Sequence, residues 1–371
     1  MKLTQLQTPA ILLDLDRMER NLQKYHTAAF AHGKQVWPML KTHKSLELAR
    51  LQQESGCTGF LCGTLDEAEG LAAAGIEQIM YAYPVATDVS AARVAALAKQ
   101  CRFILRLDNA DAARVVEQAA AEADVTVDYT IIIDSGLHRF GVAPRQAAAL
   151  AAELQQFPHL VFRGISTHPG QVYGAATKED VARCCMEERQ AMAQAADVLR
   201  QAGYEPELIT SGSTPTFFGS LADGQINVCH PGNYIYHDVI QCSTESAAEE
   251  DCALTVLASV ISHPAEDLYL IDAGAKCLGL DQGAHGKGNL RGFGTVMGHP
   301  ELTVCALSEE VGKIHAEGAT DLQVGDRIRI IPNHACSTAN LTSYYVGVRG
   351  DEAERLIAVD LQSNATTKGL A

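Results

Sequence analysis

The sequence predicts a parallel (β/α)8 barrel joined to a second, mostly antiparallel β domain. Up to about residue 245, short apolar runs alternate with Ala-, Leu- and Glu-rich stretches whose apolar residues recur at helical spacing. Beyond that point the helical stretches largely vanish, and β-rich runs are separated by Gly and Pro turns. A length of 371 residues favours two domains. We therefore expect a barrel over residues 16–245 and a β domain over residues 246–371, which the N-terminal strand in residues 1–15 joins.

The barrel prediction depends on eight strands that alternate with helices. The candidate barrel strands span residues 35–38, 59–62, 78–82, 102–107, 128–133, 162–167, 207–210 and 225–228. The candidate helices span residues 66–74, 89–99, 111–121, 144–156 and 178–202. The candidate strands of the β domain span residues 253–262, 268–273, 302–307, 326–331 and 344–347. Repeated βα units of this kind predict parallel strands that close into a barrel.

Composition and charge exclude several classes of partner. Hydrophobic residues make up 47% of the chain and charged residues 20%, as in a globular protein with a sizeable core. The formal net charge of −16 argues against nucleic acid and anionic membranes, because both attract basic patches. No apolar run approaches the roughly eighteen residues of a membrane span, and no signal-peptide pattern opens the chain, so we expect a cytoplasmic protein. The eleven cysteines are scattered and are expected to be reduced thiols.

A lysine directly follows the first strand of the predicted barrel. Lys41 comes after the apolar residues Met39 and Leu40, at the point where the strand should end. In parallel barrels the chemistry lies at the C-terminal ends of the strands. A lysine there can form an imine with an aldehyde cofactor, whereas a solvated lysine at a strand end is the structural alternative.

Two loops rich in small residues follow the seventh and eighth predicted strands, at residues 210–216 and 229–234. Small residues let backbone N–H groups close around a phosphate, and Ser213 and Thr214 can add hydroxyl donors. A pair of ordinary Gly/Pro turns is the alternative. Phosphate commonly binds after strands seven and eight of such barrels. Because strand one neighbours strand eight in the ring, Lys41 and both loops are predicted to face one barrel mouth.

His334 and Cys336 stand two residues apart at the end of the apolar run 328–331. In an extended strand, residues i and i+2 point to the same side, so one cation could contact an imidazole and a thiolate together. That ligand pair favours zinc over magnesium or manganese. Coincidence is the alternative, since closed zinc sites need four ligands; two protein ligands suit an open site completed by water and substrate.

A lysine and a phosphate cup at one barrel mouth, beside a C-terminal β domain, resemble the construction of the alanine-racemase-like pyridoxal-phosphate enzymes. In detail the chain resembles the D-threonine aldolase and D-serine dehydratase family, from Thr8 to about Asn340. The segments that carry the resemblance are residues 41–44, 134–141, 168–170, 212–216 and 332–336. Where the family usually has Arg-Pro-His before the lysine segment, this chain has Trp37-Pro38-Met39, with two polar groups fewer.

The resemblance implies a role for each candidate residue. Lys41 would form the internal aldimine and, once freed by substrate, act as a base. Arg139 would approach the pyridine nitrogen and keep it unprotonated. His168 and Tyr173 could stack on the ring or contact the substrate, with a packed, hydrogen-bonded role as the alternative. The phosphate is assigned to Gly212, Ser213, Thr214, Gly232 and Asn233.

The resemblance also implies a reaction. Within the family, an aspartate in place of Cys336 is associated with the aldolases, and a cysteine with the zinc-dependent dehydratases. We therefore expect a homodimeric lyase acting on β-hydroxy D-amino acids, most simply D-serine, which would give pyruvate and ammonia. Zinc, with manganese or magnesium as alternatives, would activate the β-hydroxyl while Lys41 removes the α-proton. A D-threonine aldolase that forms glycine and acetaldehyde is the alternative, and a non-catalytic pyridoxal-phosphate carrier is a third possibility.

Overall fold

The computed structural model describes residues 1–285 and 288–362. Its helices are α1 (Leu15–Ala31), α2 (Leu46–Glu54), α3 (Leu65–Ala73), α4 (Asp88–Ala98), α5 (Ala110–Ala123), α6 (Ala147–Leu154), α7 (Lys178–Gln201), α8 (Phe217–Leu221), α9 (Val239–Ser243), α10 (Ala275–Leu278) and α11 (Ala335–Ala339). Its strands are β1 (Ala10–Asp14), β2 (Gln35–Val36), β3 (Phe60–Cys62), β4 (Gln78–Tyr81), β5 (Arg102–Leu107), β6 (Val127–Ile132), β7 (Leu160–Ser166), β8 (Leu208–Ser211), β9 (Val228–Cys229), β10 (Leu254–Ala265), β11 (Leu268–Ile271), β12 (Thr295–Val296), β13 (Leu302–Leu307), β14 (Gly312–Ala316), β15 (Arg327–Ile331), β16 (Tyr344–Arg349) and β17 (Glu352–Ala358).

The described chain divides into two compact units. The first, here called the barrel unit, contains residues 26–172, 179–232 and 361–362. The second, called the β unit, contains residues 1–25, 173–178 and 233–360. No helix within the described ranges is long and apolar enough to cross a membrane. All eleven cysteines are free thiols.

The barrel unit contains an eight-stranded parallel sheet in the order β2-β9-β8-β7-β6-β5-β4-β3. A single parallel bridge between Met39 and Leu61 connects the two ends of this order. The prediction of eight parallel strands that alternate with helices is therefore confirmed. The apolar centre of the barrel is a buried cluster contributed by six of the strands and their ends, namely Trp37, Leu61, Met80, Ala82, Ile104, Leu208 and Val228.

Polar caps fix where the barrel helices begin. Ser45, Thr64, Thr87 and Asn109 precede α2, α3, α4 and α5, and each side-chain oxygen accepts a hydrogen bond from the backbone N–H three residues later. Each cap satisfies one of the N–H groups that a helix leaves unpaired, which is worth about 1 kcal/mol. The caps explain why each helix starts directly after the loop that follows a strand.

The first barrel strand is shorter than the sequence predicts. Strand β2 ends at Val36, although backbone hydrogen bonds continue from Trp37 N–H to Cys229 O (2.9 Å) and from Met39 N–H to Pro231 O (3.0 Å). On the other side of the strand Pro38 has no N–H to donate towards β3, although its carbonyl oxygen accepts a hydrogen bond from Leu61 N–H (2.9 Å). The chain therefore keeps its direction towards Lys41 while regular pairing ends.

The last barrel strand begins later than predicted. The interval 225–228 was expected to be extended, but β9 starts at Val228. The Asp223 carboxylate accepts hydrogen bonds from the N–H groups of Gln225 (2.7 Å) and Ile226 (3.2 Å), which holds these residues in a turn.

The β unit contains a nine-stranded sheet in the order β11-β14-β13-β12-β15-β10-β1-β16-β17, with a further pairing between β10 and β11. Strand β1 lies between β10, to which it is antiparallel, and β16, to which it is parallel. The sheet is therefore mostly antiparallel, as predicted, with one parallel pair. The sequence prediction omitted β12, β14 and β17. Strand β17 is largely exposed, so its sequence lacks the apolar alternation that marks a half-buried strand.

Candidate active site

Lys41 lies in the 3-10 turn Leu40–Thr42, five residues beyond the end of β2, and is half-buried. Its stem passes Gly63, the residue that follows β3. A Cβ atom on Gly63 would lie 3.0 Å from Lys41 Cβ and 3.3 Å from Lys41 Cδ. Glycine at position 63 therefore leaves the space that the lysine stem occupies.

The segment after Lys41 is fixed by a buried imidazole. His43 Nδ1 accepts a hydrogen bond from Ser45 N–H (3.1 Å), so the ring proton lies on Nε2, which donates to Gln52 Oε1 (3.1 Å). Burial lowers the pKa of His43 to about 4, although both hydrogen bonds oppose that shift. The ring is therefore neutral at physiological pH and serves to order the turn.

Two glycines allow very close backbone approach in the predicted phosphate loops. A Cβ atom on Gly212 would lie 2.6 Å from the backbone nitrogen of His230, and one on Gly232 would lie 2.8 Å from Thr42 Oγ1. No side chain fits at either position without movement of its neighbours. The loop after β8, the loop after β9 and the turn that carries Lys41 are thus packed together at one end of the barrel.

The hydroxyl groups of the first loop are buried, and two of them have no partner. Ser213 Oγ lies 3.0 Å from Thr216 Oγ1. Within the described part of the chain, the buried oxygens Ser211 Oγ and Thr214 Oγ1 make no hydrogen bond. An unsatisfied buried hydroxyl costs free energy, which an anion bound here would recover. The cup therefore fits a phosphate group, and Ser211 is an addition to the residues expected from the sequence.

Two histidines border the first phosphate loop. His168 is half-buried, and its Nδ1 donates to Gly212 O (3.0 Å). His230 is buried, and its Nδ1 donates to Trp37 O (2.8 Å). Burial and the charge of Arg106 lower the pKa of His230 to about 3, so its Nε2 is a neutral acceptor, with no partner among the described residues. The sequence analysis missed His230, although its position directly after a strand was a usable signal.

Two arginines of the barrel unit occupy contrasting surroundings. Arg139, expected at the pyridine nitrogen, is exposed, and its guanidinium carbon lies 5.1 Å from the Phe140 ring and 5.9 Å from the Tyr83 ring. Arg106 on β5 is buried, donates to Thr210 Oγ1 (3.4 Å), and has a pKa that burial lowers to about 9. Arg106 also escaped the sequence analysis, although an arginine inside an apolar strand is an unusual feature.

Two other predicted site residues belong to the β unit. Tyr173 lies in the 3-10 turn Gly170–Gly174, is half-buried, and has its ring centroid 5.2 Å from that of His285. The amide nitrogen of Asn233 donates to Asp238 Oδ2 and lies 3.8 Å from Cys336 Sγ. The side chain of Asn233 is therefore engaged within the β unit, and its assignment to the phosphate stays a prediction.

The prediction that His334 and Cys336 lie in an extended strand is wrong. Strand β15 ends at Ile331, His334 is the residue that precedes α11, and Cys336 lies in that short helix. The buried carboxylate of Asp238 accepts a hydrogen bond from Ala335 N–H (2.8 Å), which turns the chain into the helix. A strand-to-helix turn, rather than strand alternation, thus places the two side chains near each other.

The imidazole of His334 interacts with both a carboxylate and the thiol. His334 Nδ1 lies 3.2 Å from Asp281 Oδ1, and the ring also interacts with the side chain of Cys336. Burial lowers the pKa of His334, but hydrogen bonds to Asp281 and Cys336 and the charge of Asp238 outweigh burial and hold it well above its usual range. Histidines that bind metals commonly have one ring nitrogen oriented by a carboxylate.

Residues 1–285 and 288–362 contain no group of three or more His, Cys, Asp or Glu side chains arranged to hold a metal ion. The pair His334 and Cys336 can therefore supply at most two ligands of the kind predicted. The imidazole, with a carboxylate at its Nδ1, and the adjacent thiol are donors of the kinds that bind transition metals, but they are one fewer than the three protein ligands of the usual catalytic zinc site.

Comparisons with known proteins agree with this architecture. A model for the alanine racemase N-terminal domain matches residues 13–239, and a model for a putative serine dehydratase domain matches residues 253–348. D-threo-3-hydroxyaspartate dehydratase of Delftia sp. strain HT23 is 31% identical over 93% of this chain and 95% of its own length. D-threonine aldolase of Arthrobacter sp. is 30% identical over 95% of this chain and 92% of its own. D-serine dehydratase of Dictyostelium discoideum is 28% identical over 93% of this chain and 94% of its own.

The solved structure of the Delftia dehydratase superposes with a TM-score of 0.89, at 30% identity, over 96% of this chain and 98% of that chain. A cysteine-to-alanine mutant of a D-threo-3-hydroxyaspartate dehydratase has been solved in a metal-free form, and it also superposes with a TM-score of 0.89 at 30% identity, over 96% of this chain and 98% of that chain.

Proposed function

Because the chain belongs to the family of pyridoxal-phosphate lyases that includes D-threonine aldolases and D-serine dehydratases, we propose that it is a D-serine dehydratase, which converts D-serine to pyruvate and ammonia. The observation that carries this proposal is the interaction between the His334 imidazole and the Cys336 thiol. In the family that this chain resembles, a cysteine at this position accompanies dehydratase activity and an aspartate accompanies aldolase activity.

The barrel unit would hold the cofactor. Lys41 would bind the aldehyde carbon of pyridoxal phosphate. The phosphate group of the cofactor would be held by Gly212, Ser213, Thr214 and Gly232. The close approach of these loops and the unpartnered Thr214 hydroxyl support that assignment. When bound, pyridoxal phosphate supplies the electron sink that makes the α-proton of an amino acid removable.

Lys41 would also act as the base. With substrate bound, the Lys41 amine would accept the α-proton. Arg139 is the proposed partner of the pyridine nitrogen. His168 and Tyr173 are proposed contacts of the ring or the substrate, and Asn233 is a proposed contact of the phosphate.

In the β unit, His334 and Cys336 would hold a zinc ion, with manganese or magnesium as alternatives. Bound zinc would supply Lewis-acid activation of the β-hydroxyl, which otherwise leaves poorly as hydroxide. The thiol and imidazole donors favour zinc among these metals. Asp281 would orient the His334 ring through the contact at Nδ1. The family resemblance further supports a homodimer.

Two other substrates share the required chemistry. The similarity to the Arthrobacter aldolase supports cleavage of D-threonine to glycine and acetaldehyde as the alternative activity. The similarity to the Delftia dehydratase supports D-threo-3-hydroxyaspartate as an alternative substrate for elimination, which would yield oxaloacetate and ammonia. All three compounds are β-hydroxy amino acids, so one base and one Lewis acid could serve each.

Product analysis distinguishes these activities. The purified holoenzyme should be incubated with D-serine, D-threonine and D-threo-3-hydroxyaspartate, with and without a chelator. Pyruvate with ammonia as the dominant products would support the proposal, and glycine with acetaldehyde would replace it by the aldolase. If D-threo-3-hydroxyaspartate gives oxaloacetate with a higher kcat/KM than D-serine gives pyruvate, hydroxyaspartate replaces D-serine as the proposed substrate. A bound cofactor with no turnover of any compound would favour a carrier.

A further inference from the structure

The segment that carries Lys41 ends at a buried ion pair. Lys44 Nζ lies 3.3 Å from Glu67 Oε1, and the two side chains are only 3% and 0% exposed. The backbone of Lys44 has a φ of +48°, in the left-handed region that residues other than glycine rarely adopt. Something must therefore hold this residue in its conformation.

The Glu67 carboxylate also binds the backbone of Gly63, the residue on which the stem of Lys41 packs. Glu67 Oε2 accepts a hydrogen bond from Gly63 N–H at 2.7 Å. Gly63 is the residue against which the stem of Lys41 packs, with 3.0 Å between Lys41 Cβ and the position of an added Cβ. One side chain on α3 therefore connects the turn that follows Lys41 with the strand end beside it.

Stability alone is a poor explanation of this arrangement. Burial raises the pKa of Glu67 in spite of the Gly63 hydrogen bond and the Lys44 charge, so desolvation outweighs the favourable contacts. Buried ion pairs are often no more stabilising than apolar side chains of similar size. Their directional contacts, however, can fix one geometry of the surrounding chain.

We propose that Glu67 and Lys44 are positioning residues that fix the turn and wall around Lys41, so that its amine meets the cofactor aldehyde in one orientation. The inference rests on the proposed function, because it assigns these residues to the attachment of the cofactor. Both side chains are almost completely buried, so they would act through Lys41 and Gly63 and not through direct contact with a ligand. A displacement of about 1 Å at a reacting group costs rate and affinity, which makes such support worthwhile.

The test compares Glu67→Gln, Lys44→Met and the double variant with the wild-type protein. The measurements are the thermal midpoint, the Kd for pyridoxal phosphate, the fraction of Lys41 labelled after borohydride reduction, and kcat and KM. Each single variant leaves one buried polar partner unpaired and should unfold at a lower temperature. The double variant should regain most of the thermal stability, yet its Kd should rise about tenfold or more and its labelled fraction should fall.

Glu69→Gln on the same helix is the matched control, because Glu69 pairs with Arg93 (2.6 Å) at a partly exposed site. It should retain the wild-type Kd. If the double variant does not fold, Glu67→Asp keeps the charge but shortens the reach to Gly63, and it should raise the Kd with a smaller change in stability. Wild-type Kd and labelling in a folded double variant, or in Glu67→Asp where the double variant does not fold, would overturn the inference. Failure of the wild-type protein to take up the cofactor on Lys41 would instead overturn the proposed function.

Discussion

Thr42 Oγ1 lies 2.8 Å from the point that a Cβ atom on Gly232 would occupy. The residue next to Lys41 is therefore packed directly against the loop after β9. Since the first loop meets the second at Gly212 and His230, the lysine turn and both phosphate loops form one continuous contact. The cofactor would be bound at its aldehyde and at its phosphate by parts of the chain that constrain each other.

Gly232→Ala should weaken cofactor binding. The new methyl group would force the Thr42 side chain or the loop to move, because contacts below 3.0 Å are not tolerated. We expect the Kd for pyridoxal phosphate, measured by absorbance titration, to rise about tenfold. Gly224→Ala is the control, since no atom lies within 4 Å of its added Cβ. Equal Kd values for the two variants would contradict the packing argument.

Lys41→Ala should remove both covalent attachment and turnover. The wild-type protein should be yellow, and borohydride should fix the cofactor on a peptide that contains Lys41. The alanine variant should bind pyridoxal phosphate reversibly through the phosphate loops but lose activity by about three orders of magnitude or more. Peptide mapping and initial rates provide the measurement. Substantial turnover by the variant would remove Lys41 from the mechanism.

The enzyme should act on D-enantiomers only. A single base beside one face of the cofactor can remove an α-proton from one configuration, and Lys41 is the base assigned here. Initial rates on D-serine and L-serine, and on D-threonine and L-threonine, test the expectation under identical conditions. Comparable rates for the two enantiomers of either amino acid would be incompatible with one proton-transferring group.

Removal of the metal should abolish lyase activity without releasing the cofactor, because Lys41 and the two predicted phosphate loops would hold the cofactor independently of the metal. We expect one zinc per chain by elemental analysis, and activity restored by added zinc after chelation. Cys336→Asp should shift metal preference towards manganese or magnesium, since a carboxylate is a harder ligand than a thiolate.

Cys336→Asp should also reduce D-serine dehydration more than it reduces D-threonine cleavage. The ratio of the two kcat/KM values is the measurement, with Cys305→Ser, at an exposed thiol, as the control. An unchanged ratio, or full activity of the metal-free wild-type protein, would show that this cysteine does not select between the reactions.

Glu188→Gln should change how stability depends on pH. Burial raises the pKa of Glu188 on α7 to about 8, despite hydrogen bonds to Thr216 and Ser220. A carboxyl group whose folded-state pKa is raised contributes stability that is complete below its unfolded pKa, near 4.5, and is lost as the pH rises through 8. The glutamine variant lacks this loss, so its relative stability should increase between those values by up to about 1.4 kcal/mol per pH unit.

Denaturant unfolding of the wild-type protein and Glu188→Gln at pH 5, 6.5 and 8 gives the two profiles. Glu187→Gln is the control, because Glu187 is 47% exposed beside Arg183 and should follow the wild-type profile. Parallel profiles for wild type and Glu188→Gln would show that this carboxyl group is not held protonated by burial.

Local patterns were sufficient to predict the barrel and the positions of the two loops after its last strands. Strand β5 coincides with the predicted interval 102–107, because the apolar residues Phe103, Ile104 and Leu105 stand between two clear helices. The loop glycines were recognisable because Gly212 directly follows β8 and Gly232 lies three residues beyond β9. The turn at His334 could not be predicted in this way, because it depends on a hydrogen bond from Ala335 N–H to Asp238, almost a hundred residues earlier in the chain.

Polar groups inside the barrel were equally hidden from pattern analysis. Arg106 and His230 come together because β5 and β9 belong to one closed sheet, which periodicity alone does not reveal. Trp37 shows the converse. The family resemblance implies an arginine at this position, yet Trp37 is 1% exposed in the apolar cluster, and its Nε1 donates to Thr58 Oγ1 (2.9 Å). The apolar cluster of the barrel therefore accommodates the indole ring at this position.

The position of β1 affects how the chain can fold during synthesis. Leu12 on β1 pairs with Thr255 on β10 and with Val346 on β16, so one edge of β1 finds its partner only after more than 330 further residues have been synthesised. The strands of the barrel are complete much earlier in translation. A nascent chain would therefore carry β1 without either partner until β10 is made, and with one edge unpaired until β16 is made; chaperones bind such apolar edges, which promote aggregation when synthesis stalls.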